Sequence, residues 1–425
     1  MTPCTGSSGA GAGSAAPPPT DHPVASSSAA PSPTRTVALV CPYSLSRPGG
    51  VQGQVVGLAR ALEARGHRVT VFAPLDAAAD APPGVHLEVT GGSVRLPANG
   101  SVAPVTLSVP TVVRALRTLR TGGYDVVHVH EPFAPGVPFG LLVGRGLPPL
   151  VATFHRSGPS PFYRALGPLT RRLAQRFAVR CAVSPSARST AASALGGEYD
   201  LGFNGVEMDR FLHVDPWPRS GPTILFLGRH EERKGLGVLL SAFERLRLPP
   251  NGPDTGGGGL RPTLWVAGDG PRTDALRQLH PGAPDLQWLG VLTEDEKIRR
   301  LMAADIVAAP SLGGESFGMV LVEAMAARAV VVASDIEGYR EAAGGHAVLV
   351  PPGAADALAD ALAGVLGLPG ATTGGTGPGA EPGGTGPGLE AWLDDGWAWA
   401  SHWSMDRLAE WYESRYDSAV VRTGA

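Results

Sequence analysis

From Val37 to Val350 the chain repeats one pattern, in which a short apolar run breaks at a glycine-rich or polar turn and a stretch of helical period follows. Strands that alternate with helices predict parallel sheets covered by helices. Strands are expected at Val37 to Val40, Arg68 to Phe72, Val126 to Val129, Val151 to Phe154 and Cys181 to Val183. A second set begins near Ile224 and continues at Leu264 to Ala267, Ile306 to Ala309, Val330 to Ala333 and Val348 to Val350, with helices such as Gly235 to Leu246 and Glu294 to Met302 between them. The Pro-rich join VDPWPRSGP, Val214 to Pro222, separates the two sets and reads as a hinge. The expected fold class is α/β with two Rossmann-like domains, 36–214 and 215–395, ahead of a last segment, 396–425.

Composition narrows the function classes. At 425 residues the chain can hold two or three domains with cores of their own. A net charge of −3 lacks the basic excess of a nucleic-acid protein, and no zinc finger, basic zipper or RNA-binding pattern appears, so no nucleic-acid partner is expected. Three cysteines, Cys4, Cys41 and Cys181, are too few and scattered for a disulfide framework or a metal cage, which fits a reducing cytoplasm. Residues 1–35 are Gly, Ala, Ser, Pro and Thr with almost no large apolar side chains, so a disordered tail without signal-peptide character is expected. The longest apolar region, Phe133 to Phe154, is interrupted by prolines and Arg145 and does not suit a membrane span. Residues 367–389, with GGTGPG at Gly374 and again at Gly383, read as a flexible insertion, and Asn251 to Gly259 as a shorter one.

The chemistry concentrates in GGESFGMVLVEAMAA, Gly313 to Ala327. If Ser316 to Ala327 is helical, Glu315 lies at its mouth and Glu323 two turns on, roughly 12 Å away at about 1.5 Å per residue. That spacing suits a nucleotide sugar, with one carboxylate for a hexose hydroxyl and the other for a ribose hydroxyl. Met319 and the main-chain N–H groups near Phe317 and Gly318 would then face the diphosphate, where the helix dipole favours negative charge. Upstream, ILFLGRHEERKG, Ile224 to Gly235, places Arg229 and Lys234 after a strand end, where an open α/β sheet has its ligand crevice. Both would neutralise a diphosphate that gains charge as its sugar leaves. Gly49 and Gly50 follow the first strand and open a helix at about Val51, so main-chain N–H groups can approach an anion there.

With Arg229, Lys234, Glu315 and Glu323 together, the chain resembles the retaining family 4 glycosyltransferases of the GT-B fold. CPYSLSRPGGVQGQVVGLARALEARGHRVTVFAP, Cys41 to Pro74, YDVVHVHEPFAPG, Tyr124 to Gly136, and VATFHRS, Val151 to Ser157, are similar to the actinobacterial members that transfer mannose to phosphatidylinositol. The resemblance covers about Val37 to Arg415. It implies GDP-mannose as co-substrate, no tightly bound cofactor, phosphatidyl-myo-inositol as acceptor, and peripheral residence on the anionic inner face of the cell membrane. It implies that His155 contacts the donor sugar and assists the reaction, and that Gly49 and Gly50 meet donor phosphate. Leu292 and Lys297 would read the guanine edge, and Tyr43 and Gln52 would face the acceptor. It also implies that a last helix, around Trp403 to Tyr416, returns to the first domain.

His128 and His130 share a strand face and read as structural, with Glu131 and Pro132 shaping the cleft floor. No DxD pair is present, so no metal site is assigned, although a divalent ion is compatible as a counter-ion. TVVRALRTLR, Thr111 to Arg120, suits a basic amphipathic helix for weak membrane contact. Two positions depart from the family pattern: Ser46 stands where an acid is usual, and Arg328 where a glycine is usual after the Glu323 helix. The alternatives are a family 4 enzyme with another donor or a soluble acceptor, and a catalytically silent GT-B protein that binds a sugar nucleotide or lipid.

Overall fold

A computed structural model describes residues 33–47, 49–98, 101–156, 167–247, 261–315, 317–368 and 387–424. Most of the expected tail, the core of the 367–389 insertion, the 251–259 segment and Pro48 lie outside them. In chain order the first half contains β1 (Thr36–Val40), α1 (Gly50–Ala64), β2 (Arg68–Ala73), β3 (Leu87–Val89), β4 (Val94–Ala98), β5 (Ser101–Val105), α2 (Val109–Thr121), β6 (Val126–His130), α3 (Val137–Val143), β7 (Leu150–Phe154), α4 (Gly167–Ala174), β8 (Val179–Ala182), α5 (Pro185–Leu195) and β9 (Asp200–Leu201). The second half contains β10 (Thr223–Leu227), α6 (Leu236–Arg247), β11 (Thr263–Ala267), α7 (Thr273–Leu279), β12 (Leu286–Gly290), α8 (Glu294–Ala303), β13 (Ile306–Ala309), α9 (Met319–Ala326), β14 (Val330–Ser334), α10 (Glu337–Ala343), β15 (Val348–Val350) and α11 (Ala355–Val365). Helices α12 (Pro387–Ser401) and α13 (Met405–Thr423) close the chain.

Two parallel sheets result, in the orders β3-β2-β1-β6-β7-β8-β9 and β12-β11-β10-β13-β14-β15. Strands such as VVHVH and TILFL are buried along almost their whole length, because helices cover both faces of each sheet. Strand order reverses between β1 and β6 in one sheet and between β10 and β13 in the other. A ligand crevice opens beyond the carboxyl ends of strands at such switch points. The loops after β1, β6, β7, β10 and β13 carry Gly49, Glu131, His155, Arg229 and Glu315 in that order.

A pairing that sequence reasoning missed is the antiparallel β4–β5 hairpin. Pro97 and Pro104 argue against strands, yet proline is tolerated where a strand lies at an edge. The residues expected as one last helix are two. Helix α12 begins at Pro387, inside the stretch read as a flexible insertion, and Trp403 lies in the break before α13. Nor is the Pro-rich join loose: Trp217 N–H donates to the Arg299 carbonyl at 2.8 Å, and its ring lies under the Arg299 and Arg300 guanidinium groups at 4.9 and 4.2 Å.

Helix α13 packs on α1 and on β6, β7 and β8 of the first sheet. Ion pairs fasten it there. Glu413, 6 % exposed, takes Arg65 Nε at 2.6 Å and His67 Nε2 at 2.9 Å. Arg328 does adopt the left-handed conformation, φ 59°, that usually selects glycine after a helix. Its guanidinium reaches Glu390 Oε2 at 2.9 Å and also Asp394, so the strained residue clamps α12.

Burial opposes ionisation of Glu413, but hydrogen bonds from Arg65 and His67 outweigh it and hold its carboxyl below the usual range. Stability from this pair is therefore present above the carboxylate's unfolded pKa and lost as pH falls through its folded value. Glu413→Ala is expected to cost about 2–3 kcal/mol, less than a fully buried pair because Arg65 is partly in solvent. Denaturant unfolding at pH 7 measures it, and a loss under about 0.5 kcal/mol would refute the clamp.

Candidate active site

The loop after β10 closes through a short 3-10 turn, Glu232–Lys234, and Gly235 follows at φ 68°. A Cβ at Gly235 would meet the Pro310 carbonyl oxygen at 1.9 Å, so only glycine lets the β10 and β13 loops touch. That contact unites the charged residues. Lys234 Nζ lies 2.8 Å and Arg233 Nη1 2.6 Å from Glu315 Oε1. Arg229 Nε lies 2.7 Å and Arg233 Nε 2.9 Å from the two oxygens of Glu231. Three cations thus alternate with two carboxylates across the ends of β10 and β13. Glu231 and Arg233 were not singled out in the sequence, although the charge order in RHEERK contains the pairing.

Helix α9 starts at Met319, three residues later than expected, because Gly318 turns at φ 108° and φ of that sign is not helical. A Cβ on Gly318 would also meet the Tyr339 ring at 2.7 Å. Phe317 points its side chain into the core, against Trp403 at 4.7 Å, so only its main chain is offered to a ligand. Met319, half-buried, opens the helix whose unpaired N–H groups point back toward Glu315. About one turn along, Glu323 Oε1 receives Lys297 Nζ at 3.2 Å, and Glu294 Oε2 receives it at 2.9 Å. Burial opposes the Lys297 charge, but Glu323 and Glu294 outweigh it and keep the ammonium protonated. Leu292 is buried just ahead of α8, leaving its main chain as the group for recognition.

Across from these, Gly49 caps α1 in extended conformation, and the helix starts at Gly50, one residue earlier than expected. Gln52 is 9 % exposed, and its amide nitrogen donates to the Arg47 carbonyl at 3.2 Å and the Ser44 carbonyl at 3.4 Å, so this end of the side chain braces the loop. Gly49 is needed for that brace, since a Cβ there would lie 2.4 Å from Gln52 Oε1. Ser46 Oγ accepts from the Asp76 N–H at 2.8 Å, and Asp76 takes the Ser44 hydroxyl at 3.0 Å. An acid therefore stands beside Ser46 after all, brought by the loop that follows β2. Tyr43 is half-buried, and burial and then the Glu131 charge raise its phenol well above the usual range.

His155 is not isolated. Its Nε2 meets His130 Nδ1 at 2.8 Å and the rings stack at 5.1 Å, so His130 supports it directly. Beneath them His128 bridges Tyr416 OH at 2.9 Å and Thr153 Oγ1 at 2.7 Å, which ties α13 to the strand ends. Burial pushes His155 down to about 4, His128 down to about 3, and His130 well below the ordinary imidazole value. All three rings are neutral at pH 7. Among the described residues no cluster of three or more His, Cys, Asp or Glu is placed to hold a metal ion.

The family model for glycosyl transferases group 1 matches residues 221–367, and that for glycosyltransferase family 4 matches residues 48–210. The chain is 39 % identical over 342 residues to the phosphatidyl-myo-inositol mannosyltransferase of Mycolicibacterium smegmatis, spanning 78 % of this chain and 84 % of the relative. The Mycobacterium tuberculosis protein of the same name is 38 % identical over 343 residues, 78 % of this chain and 87 % of the relative. The chain belongs to glycosyltransferase family 4. Its fold is that of Anabaena HepE, solved with UDP and glucose, at a TM-score of 0.63 and 19 % identity over 90 % of this chain and 100 % of that one. This glycosyltransferase therefore has the expected GT-B architecture, with the Arg229–Lys234 loop and α9 in its second half and His155 in its first.

The three neutral histidines have a consequence for stability. Unfolded, each would titrate near 6.5, so on acidification the unfolded chain binds up to three more protons than the folded one. Stability is thus full above about pH 6.5 and falls toward pH 4 by up to about 4 kcal/mol per pH unit, at about 1.4 kcal/mol per proton. Urea unfolding at pH 7 and pH 5 should show this drop, and equal values would mean that the rings are already charged in the fold.

Proposed function

We propose that this glycosyltransferase moves mannose from GDP-mannose to phosphatidyl-myo-inositol with retention at the anomeric carbon. The observation that carries the reading is the pair of cation–carboxylate contacts that bracket α9, Lys234–Glu315 at 2.8 Å and Lys297–Glu323 at 3.2 Å. They give a sugar nucleotide two anchors, one for the hexose and diphosphate and one for the ribose and base. The names borne by its relatives supply the choice of mannose and of the inositol lipid.

In the reaction the acceptor oxygen bonds to the anomeric carbon as the bond from that carbon to the diphosphate oxygen breaks. The departing diphosphate takes the hydroxyl proton. Charge grows on the leaving oxygens, and Arg229, Arg233 and Lys234, already held by Glu231 and Glu315, meet it without reorganising. A covalent glycosyl-enzyme would need a carboxylate beneath the anomeric carbon; Glu231, Glu315 and Glu323 are engaged by cations, and Glu131 by the main chain of His155 and Arg156. Neutral His155 hydrogen-bonds the sugar. Lys297 favours guanine, whose O6 and N7 accept from a cation, over uracil.

A lipid acceptor asks for a membrane surface. Helix α2 buries Ala115, Leu116 and Leu119 and exposes Val109, Val113, Arg114 and Arg117, which is the division a peripheral helix needs. Among the described residues no helix is long and apolar enough to cross a membrane.

Purified protein with phosphatidylinositol vesicles and, separately, GDP-mannose, GDP-glucose, UDP-glucose and UDP-N-acetylglucosamine should yield a hexosylated lipid from GDP-mannose alone. Mass spectrometry reads the product, and glycolipid from a uridine donor would reassign Lys297. Arg229→Ala and Lys234→Ala should each lower turnover by about 10²–10³-fold, the usual effect of removing one transition-state charge contact. Undiminished transfer in both variants would reject the donor-site assignment.

A further inference from the structure

The parallel ladder between β6 and β7 extends to Glu131, whose N–H donates to the Thr153 carbonyl at 2.9 Å. The next rung of such a ladder would place the His155 N–H on the Glu131 carbonyl. That rung is not made. Glu131 turns into the left-handed region at φ 49°, and its carbonyl accepts from the Ala134 N–H at 2.9 Å instead. The side chain then folds back and supplies the missing acceptor: Glu131 Oε1 takes the His155 N–H at 2.6 Å. The Arg156 main chain donates to the same carboxylate.

This substitution of a carboxylate for a carbonyl is unfavourable in two ways. A left-handed φ is strained for any residue with a Cβ. A carboxylate only 8 % exposed is also costly to desolvate, and burial raises its pKa. An ordinary strand end needs neither. What the arrangement gains is a charge-assisted bond on the main chain of His155 itself, shorter and stronger than the rung it replaces. His130 fixes the ring of that residue and Glu131 fixes its backbone. The same carboxylate faces Tyr43 and the Arg156 charge, so it lies between the histidine and the loop of Tyr43.

We propose that Glu131 is a positioning residue for glycosyl transfer, its carboxylate acting as a surrogate ladder rung that holds His155 at the cleft floor. The proposal rests on the transfer reading above. Strain kept at one buried acid beside the reacting centre marks a requirement of function rather than of folding.

Glu131→Ala and Glu131→Gln in the full chain test it in two arms. In the first, main-chain hydrogen exchange is followed at His155 and Arg156, with no substrate present. Both amides should be protected in the parent, exposed in Glu131→Ala, and largely protected in Glu131→Gln, whose side-chain carbonyl can still accept. Unchanged protection in Glu131→Ala overturns the proposal whether or not transfer is detected. In the second arm, kcat and the KM for GDP-mannose are measured with phosphatidylinositol vesicles. Glu131→Ala should lose about 100-fold in kcat, the scale of a misplacement near 1 Å, with donor KM within about 2-fold of the parent. Glu131→Gln should recover most of that loss. A kcat equal to the parent's in Glu131→Ala, or equal losses in both variants with donor KM rising in step, would show a merely structural acid. An inactive parent would fail the mannosyl-transfer reading and leave the exchange arm to decide Glu131.

Discussion

Trp403 sits in the break between α12 and α13, where its indole meets Phe203 edge-on at 5.6 Å and Phe317 at 4.7 Å. Phe203 belongs to the first half and directly precedes Asn204, whose side chain lies beside the His155 ring. Phe317 belongs to the loop that carries Glu315. One aromatic side chain therefore joins the segment beside His155 to the loop that carries Glu315. The core around it is continuous across both halves, with Val206, Met208 and Phe211 on one side and Leu321, Met325 and Tyr339 on the other. Close-packed interiors pass a displacement on rather than absorb it. The relation of the two halves is consequently a matter of shape as much as of charge.

Within that frame, the charged loop is organised before any ligand arrives. Each cation that would meet a diphosphate already rests on a carboxylate, and each carboxylate is held by at least one cation. Fixed dipoles and charges are more effective than mobile ones because they need no rearrangement as charge develops. In the proposed reaction Glu315 would both orient Lys234 and meet a sugar hydroxyl. Its two oxygens allow this, since Arg233 and Lys234 both use Oε1.

The two parallel sheets were readable from the sequence because strands buried on both faces need near-continuous apolar runs such as VVVAS and TILFL, bounded by turns. The β4–β5 hairpin was not, since each of its short runs carries a proline, Pro97 or Pro104, which weakens a strand pattern. At the site, motif spacing and strand ends were enough to put Arg229, Lys234, Glu315 and Glu323 on neighbouring loops and one helix, where the structure has them, while Lys297 was reached through the family resemblance. The late start of α9 could not be read that way, because it follows from the approach of Tyr339 to Gly318, a contact between distant segments. The bracing by Gln52 was hidden for the same reason: a polar side chain in a glycine-rich loop looks wholly available until the carbonyls it bonds are seen. The role of His130 depends on a neighbouring strand, and that of Glu131 on a backbone angle that no composition encodes.

The Arg35 guanidinium, just ahead of β1, lies 2.9 Å from Asp417 near the end of α13. The described polypeptide therefore enters and leaves through the same half, having crossed to the other half and come back. The second half is in effect a domain inserted between the last strand, β9, and the last helix of its neighbour, held by two covalent tethers. A body on two tethers can swing but cannot drift away or spin freely. A partner attached at either end of the described chain would therefore be carried by the first half, whichever half it served.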